Sequence, residues 1–334
     1  MTVDPTLAVI WACILAGGLL IYVVLDGFDL GIGMLFGVAE SEHDRRVMMN
    51  SVAPIWDGNE TWLILGGVVL FAAFPLVYAS LLPALYLPII VMLMALIMRG
   101  VAFEFRYKAS GIYQTIWDLG FVLGSGVATF CQGAALGTLM QGLPIQDGQY
   151  AGPPFIWFNA FSIFCGFGLM AGYMLLGSTW LVLKTEGSLQ EWAYARIRPL
   201  LVTMALFLAA GVVWMLIDYQ HLGQRWWNHI EFLLLVIAGA AAAFVLWRSV
   251  AKRQELVPFW SAAALFGIAF AALGLSFWPY IIPPAITVFD AASVSASQTF
   301  MLHGMAILLP IVLIYTCFVY WIFRGKATAE VEYD

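Results

Sequence analysis

Acidic and amide side chains interrupt two apolar stretches near the N-terminus of this chain. The first reads Leu-Asp-Gly-Phe-Asp-Leu-Gly-Ile-Gly over residues 25–33, and the second reads Asn-Ser-Val-Ala-Pro-Ile-Trp-Asp-Gly-Asn-Glu over residues 50–60. A charged side chain at the bilayer centre costs on the order of 2.5–3.5 kcal/mol even on a mild insertion scale. Acids retained in such segments therefore indicate a functional site.

Spacing and desolvation suggest the chemistry. Asp26 and Asp29 are three residues apart, as are Asp57 and Glu60, so each pair shares one helix face. A carboxyl group removed from water holds its proton more tightly, so these groups can exchange protons near neutral pH. The pattern is compatible with a proton-conducting chain of acids.

The composition is that of an integral membrane protein. Hydrophobic residues make up 63% of the 334 residues, charged residues make up 10%, and the mean hydropathy is +0.92. A soluble domain would carry roughly a quarter charged residues. We expect membrane lipid around the chain, no nucleic-acid partner, and an uncleaved first span.

Apolar runs of about 20 residues predict nine transmembrane helices. We expect an all-α fold, with two four-helix bundles plus one extra helix, in a single membrane domain over residues 1–334. The predicted spans are residues 7–36, 53–73, 79–103, 112–138, 155–183, 199–217, 230–249, 259–277 and 300–323.

Positive charges predict the orientation. Of the 14 Lys and Arg residues, all except Arg225 fall in the odd-numbered loops, at the loop-facing ends of spans or in the C-terminal tail. Basic residues accumulate on the cytoplasmic side of membrane proteins. We therefore expect a periplasmic N-terminus and a cytoplasmic C-terminus.

This orientation places the acids in one cytoplasmic-side layer, where two interpretations stay open. The acids can pair with arginines and buried amides and so fix helix register, or they can conduct protons. An excess of acids over bases favours conduction, at least through Asp57 and Glu104. The residues of this layer are Asp26, Asp29, Asp57, Asn59, Glu60, Arg99, Glu104, Arg106 and Asp118.

Small residues and the remaining reactive side chains give weaker signals. Gly27 and Gly31 let helices approach closely, either within the chain or at a subunit interface. The four cysteines show no paired spacing, and His303 has no partner histidine in a haem-binding pattern. We expect no metal site, no catalytic residue and no firmly bound cofactor in this chain.

Several motifs together resemble a known family. They are residues 25–33, residues 50–60, Phe-Glu-Phe-Arg at 103–106, Trp117-Asp118 followed by Gly124-Ser125, and Asp290-Ala-Ala-Ser293 with Gln298. These motifs resemble subunit II of cytochrome bd-type quinol oxidases. The short chain and the Asn59-Glu60 and Phe-Glu-Phe-Arg variants are similar to the cyanide-insensitive branch.

The resemblance implies a respiratory enzyme of the bacterial cytoplasmic membrane that oxidises quinol and reduces O₂ to water. Haems b558, b595 and d (or b) are then expected in a nine-span partner, subunit I, with small single-span accessory subunits a further expectation. Subunit II of this family can hold a structural quinone. The resemblance also implies a proton or O₂ route through Trp56, Asp57 and Glu104, although many relatives have Asp at position 104.

A proton-coupled secondary transporter is the alternative. Nine spans with buried acids are compatible with transport. No pair of Gly/Pro-broken spans at matching positions in two inverted halves supports it, however.

Overall fold

The computed structural model describes residues 3–219, 226 and 229–329, and it is predominantly helical. The helices are α1 (Pro5–Phe36), α2 (Glu42–Asn50), α3 (Trp56–Ala73), α4 (Pro75–Arg106), α5 (Ile112–Gln141), α6 (Ala160–Lys184), α7 (Gly187–Asp218), α8 (Ile230–Ala251), α9 (Leu256–Phe277), α10 (Val288–Ala291) and α11 (Ser295–Ile322). The all-α membrane class is confirmed. Arg225 lies outside the described residues.

Eight helices of the described chain are long and apolar enough to cross a membrane: α1, α4, α5, α6, α7, α8, α9 and α11. The predicted second span corresponds to α3, which has 18 residues. The polar residues at its start, from Trp56 to Glu60, lower its mean hydropathy. The nine-span count and the two-bundle arrangement therefore stay predictions.

Helix boundaries differ from the apolar runs where polar residues continue a helix. The predicted sixth span begins at residue 199, whereas α7 begins at Gly187 and includes the charged turns that precede the apolar part. Likewise, α2 occupies a predicted loop: Ser41 caps its N-terminus, and Val47–Asn50 are buried. Hydropathy detects the apolar part of a helix, so it misses these polar extensions.

Close contact between α1 and α6 forms the centre of the bundle. A Cβ atom built on Gly31 would lie 1.8 Å from the backbone oxygen of Tyr173, and one on Gly177 would lie 2.7 Å from the backbone nitrogen of Ile32. The ring of Tyr173 similarly covers Gly27. Only residues without side chains permit such an approach. Gly27 and Gly31 therefore lie at a close helix contact within the chain.

Two short hairpins lie between helices. Strands β1 (Ile145–Gln146) and β2 (Gln149–Tyr150) pair antiparallel around Asp147-Gly148, both of which have positive φ, as a tight hairpin turn requires. Strands β3 (Tyr280–Ile282) and β4 (Ile286–Thr287) pair before α10, which Thr287 and Asp290 cap reciprocally.

The last helix, α11, is attached mainly at its ends. Gln298 is its only buried residue. Near its N-terminus, Ser295 accepts a hydrogen bond from the Asp4 backbone, and the Gln298 carbonyl accepts one from the Trp11 indole. At its C-terminus, the Lys184 ammonium donates to the carbonyls of Phe323 and Gly325. Most side chains of α11 are thus exposed in the part of the chain that the structure describes.

The α1–α6 contact predicts a sharp difference between two glycines of α1. Gly31→Ala must push α6 away, because its Cβ meets backbone, and overpacking of this kind costs about 1–3 kcal/mol or more. Gly17→Ala is the matched control, since among the described residues no atom beyond its chain neighbours and its own helix backbone lies within 4 Å of its Cβ position. Thermal unfolding of the purified protein should show a lower midpoint for Gly31→Ala alone. Equal midpoints for the two variants would contradict this account of the packing.

Candidate functional site

The buried guanidinium of Arg99 joins three helices. It donates to Asp26 of α1 at 2.7 Å and to Glu60 of α3 at 2.8 Å, while Arg99 itself belongs to α4. The side chains of Asp26 and Arg99 are both 0% exposed, and that of Glu60 is 25% exposed. A buried ion can be tolerated only when it is paired and hydrogen-bonded. This pairing therefore fixes the relative positions of α1, α3 and α4.

A second chain of hydrogen bonds leads from α11 into the same cluster. The Tyr320 hydroxyl donates to the Asn59 side-chain oxygen at 2.9 Å, and the Asn59 amide donates to Asp29 at 2.7 Å. The other carboxyl oxygen of Asp29 is buried without a hydrogen-bond partner in the structure. The cluster thus holds three carboxyl groups and one cation, and only Asp26 and Glu60 pair with that cation.

Aromatic packing borders the cluster on α3 and α4. The Trp56 ring stacks on Phe103 with centroids 4.9 Å apart and planes 8° from parallel, and Arg99 lies 5.8 Å from the Trp56 ring centroid. The next residue after each ring is an acid, Asp57 or Glu104, and both of these residues are exposed. They lie on the surface of the chain beside the buried cluster.

A separate ion-pair group surrounds Arg106. Its guanidinium contacts Asp118 at 2.5 Å and both carboxyl oxygens of Glu42 at 2.9 Å, and Arg45 lies 3.4 Å from Asp118. Arg106 also lies over the Phe36 ring, 5.0 Å from its centroid. These contacts join α2, α4 and α5 to the end of α1.

The structure therefore divides the predicted acid layer into three parts. Asp26, Asp29, Asn59, Glu60 and Arg99 meet in the buried cluster. Asp118 and Arg106 belong to the second group, while Asp57 and Glu104 remain on the surface. The expectation that arginines and amides pair with some of the acids is thus realised.

Three participating residues, Glu42, Arg45 and Tyr320, were not identified as site residues from the sequence. The apolar runs predict a loop around Glu42 and Arg45, although the Ser41-x-x-Asp44 spacing, with Glu42 between, is typical of a helix start. Tyr320 lies far along the chain from Asn59, and no local pattern marks it. Only the position of α11 beside α3 brings the two side chains together.

Comparison with known proteins identifies the family. The family described as "Cytochrome bd terminal oxidase subunit II" matches residues 7–323. The chain belongs to this family. Subunit II of cytochrome bd-I ubiquinol oxidase from Escherichia coli (strain K12) is 31% identical over 361 residues, which cover 95% of this chain and 94% of that protein.

Other members of the subunit II family extend the match. The probable cytochrome oxidase subunit 2 of Haemophilus influenzae is 30% identical, and the alignment covers 96% of this chain and 95% of that protein. The cytochrome bd ubiquinol oxidase subunit 2 of Bacillus subtilis (strain 168) is 28% identical and covers 96% of both chains. The fold also matches a chain of the bd oxidase structure from Geobacillus thermodenitrificans, with a TM-score of 0.78 and 16% identity over 96% of this chain and 100% of that one.

The Arg99 cluster predicts a strong effect of removing its cation. Arg99→Met leaves the buried Asp26 carboxylate unpaired, and breaking a buried pair in this way costs about 3–5 kcal/mol of unfolding free energy. Adding Asp26→Asn removes the unpaired charge and should restore part of that loss. The measurement is the unfolding free energy of the purified protein in detergent.

Arg46→Met is the matched control for this prediction. Arg46 is about half-exposed and lies 3.5 Å from Glu42 on the same helix. Exposed ion pairs contribute roughly 0–1 kcal/mol, so the unfolding free energy of this variant should be close to that of the unmodified protein. Similar losses for Arg46→Met and Arg99→Met would contradict the central role of the buried pair.

Proposed function

We propose that this chain is the non-haem subunit II of a quinol oxidase that reduces O₂ to water in the bacterial cytoplasmic membrane. Family membership and the match along nearly the whole chain support this assignment. The haems b558, b595 and d (or b) then belong to subunit I, whereas a structural quinone and small accessory subunits remain open to test. The cyanide-insensitive branch stays a prediction of the motif variants.

The single observation that supports a proton route is the excess of buried carboxyl groups around Arg99. Two carboxyl groups, Asp26 and Glu60, pair with one guanidinium, a third, Asp29, accepts a hydrogen bond from an amide, and burying unneutralised charge is costly. The cluster can lower that cost by holding a proton. We propose that Asp29 and Glu60 carry protons, and that Asp26 and Asp118 support the route by holding Arg99 and Arg106.

Asp57 and Glu104 extend this route to the chain surface. Each follows one ring of the Trp56–Phe103 stack, so the two acids lie beside the buried cluster on α3 and α4. Their helices expose apolar side chains as well, among them Ile64, Val68 and Ile97. We propose that this surface faces subunit I, which receives protons through Asp57 and Glu104. An O₂ path along the same face is a further part of the hypothesis.

The positions of the basic residues support the proposed orientation. Lys184 at the end of α6, Arg248 near the end of α8 and Lys326 after α11 all mark ends that the positive-inside rule assigns to the cytoplasm. On that assignment the N-terminus is periplasmic, and the Arg99 cluster lies in the cytoplasmic half. Neither the relatives nor the geometry of the described residues favours the transporter alternative.

Replacing the two surface acids tests the proton route. Asp57→Asn and Glu104→Gln keep the size of each side chain but remove its ability to carry a proton. We expect turnover and proton uptake of the assembled complex to fall about tenfold, which corresponds to roughly 1.4 kcal/mol of barrier. The measurements are quinol-driven O₂ consumption and membrane-potential generation in proteoliposomes.

Glu186→Gln is the matched control, because Glu186 is an exposed acid at the start of α7, away from this face. It should leave turnover unchanged. Full turnover and proton uptake in assembled Asp57→Asn and Glu104→Gln complexes would refute the proposed route. The purified complex should also show a haem spectrum from a co-purifying partner, and a colourless, solitary chain would refute the oxidase assignment.

A further inference from the structure

The C-terminal tail after α11 crosses the cytoplasmic ends of other helices. We call residues 324–328 the tail strap. Lys326 of the strap donates to Glu255 at 2.7 Å and to the Thr185 carbonyl at 3.1 Å, and the Ala327 backbone donates to the Lys184 carbonyl at 2.7 Å. The Asn50 amide donates to the Thr328 carbonyl at 2.7 Å. The strap therefore joins the end of α2, the α6–α7 loop and the start of α9.

These contacts combine charge with backbone hydrogen bonds. Hydrogen bonds from Lys326 and Gln190 hold the pKa of the Glu255 carboxyl below its ordinary value. The Lys184 ammonium meanwhile satisfies carbonyls at the end of α11, where a cation also interacts favourably with the helix dipole. Several hydrogen bonds and one ion pair thus hold the strap against the helix ends.

A cavity of about 180 Å³ lies beneath the strap. Its wall includes Ser51, Trp180, Lys184, Tyr320, Lys326 and Ala327. A single water needs roughly 10–15 Å³ and two to four polar partners, so this cavity has room and partners for several waters.

The inner wall of the cavity leads to the buried acids. Tyr320 lines the cavity, and its hydroxyl donates to Asn59, whose amide donates to Asp29. Two hydrogen bonds therefore separate the cavity wall from the Asp29 carboxyl group. That group keeps one buried oxygen without a partner in the structure, so it can accept a proton.

We propose that this cavity is the cytoplasmic vestibule through which water and protons reach Asp29, with Tyr320 and Asn59 as positioning residues. The proposal rests on the proposed proton route and adds where that route begins. The amide of Asn59 orients Asp29, and Tyr320 orients the amide. Gly325, Lys326 and Ala327 of the strap form the outer wall of the vestibule, and the strap fixes Tyr320 by holding the end of α11.

Plugging the vestibule tests the proposal in the assembled complex. Ala327→Cys introduces a thiol in the cavity wall. Thr328→Cys, at the next residue, is the matched control, because the Thr328 side chain is exposed and does not line the cavity. Both are made with the exposed Cys13 and Cys317 replaced by Ser. A cationic, membrane-impermeant methanethiosulfonate reagent is the probe, and mass spectrometry measures its attachment.

Attachment at residue 327 should lower turnover and proton uptake about tenfold, a change of roughly 1.4 kcal/mol in barrier, and a reducing agent should reverse the loss. Attachment at residue 328 should leave both rates unchanged. Tyr320→Phe, which keeps the ring, should lower the maximal rate without changing the KM for quinol.

Three results would overturn the vestibule. These are full turnover after attachment at residue 327, an unreactive thiol there while residue 328 reacts, and equal losses at both positions, which would indicate displacement of the strap. Failure of the proposed route is distinguishable, because it appears as full turnover in Asp57→Asn. If the Asp57→Asn complex turns over slowly while the Ala327→Cys complex keeps full turnover after attachment of the reagent, the vestibule proposal is refuted and the proposed proton route is not.

Discussion

The buried guanidinium of Arg99 constrains most of the structure around it. Its side chain is 0% exposed, so the carboxylates that α1 and α3 supply at bonding distance are what make its burial tolerable. Those carboxylates can arrive only if α1 lies deep in the bundle, which the close contact of Gly31 with α6 permits. The close packing of α1 against α6 and the ion pairs of Arg99 therefore depend on each other.

The two ion-pair groups differ in what they leave unsatisfied. Around Arg106, the basic residues Arg45, Arg46 and Arg106 meet the acids Glu42 and Asp118, so each acid has at least two cationic partners and the group joins helices. Around Arg99, the acids outnumber the single cation, and Asp29 relies on an amide instead. The first group suits a fixed role, whereas the second retains capacity to change its protonation.

The sequence predicted the class, most helix positions and the identity of the acidic layer, because apolar runs and misplaced charges are local signals. It could not divide that layer, since Asp57 and Glu60 are three residues apart yet differ in exposure. Which acid meets Arg99 depends on how α3 is rotated against α4. Tyr320 was missed for a related reason, as its contact with Asn59 spans 261 residues of sequence.

The attachment of α11 mainly at its ends has a consequence for biogenesis. A helix with one buried residue gains little free energy from its own chain, so its position depends on the terminal tethers and on whatever covers its sides. Stable docking of this helix therefore depends on assembly with whatever covers those sides, so the fold of the chain and the formation of the complex are coupled at α11.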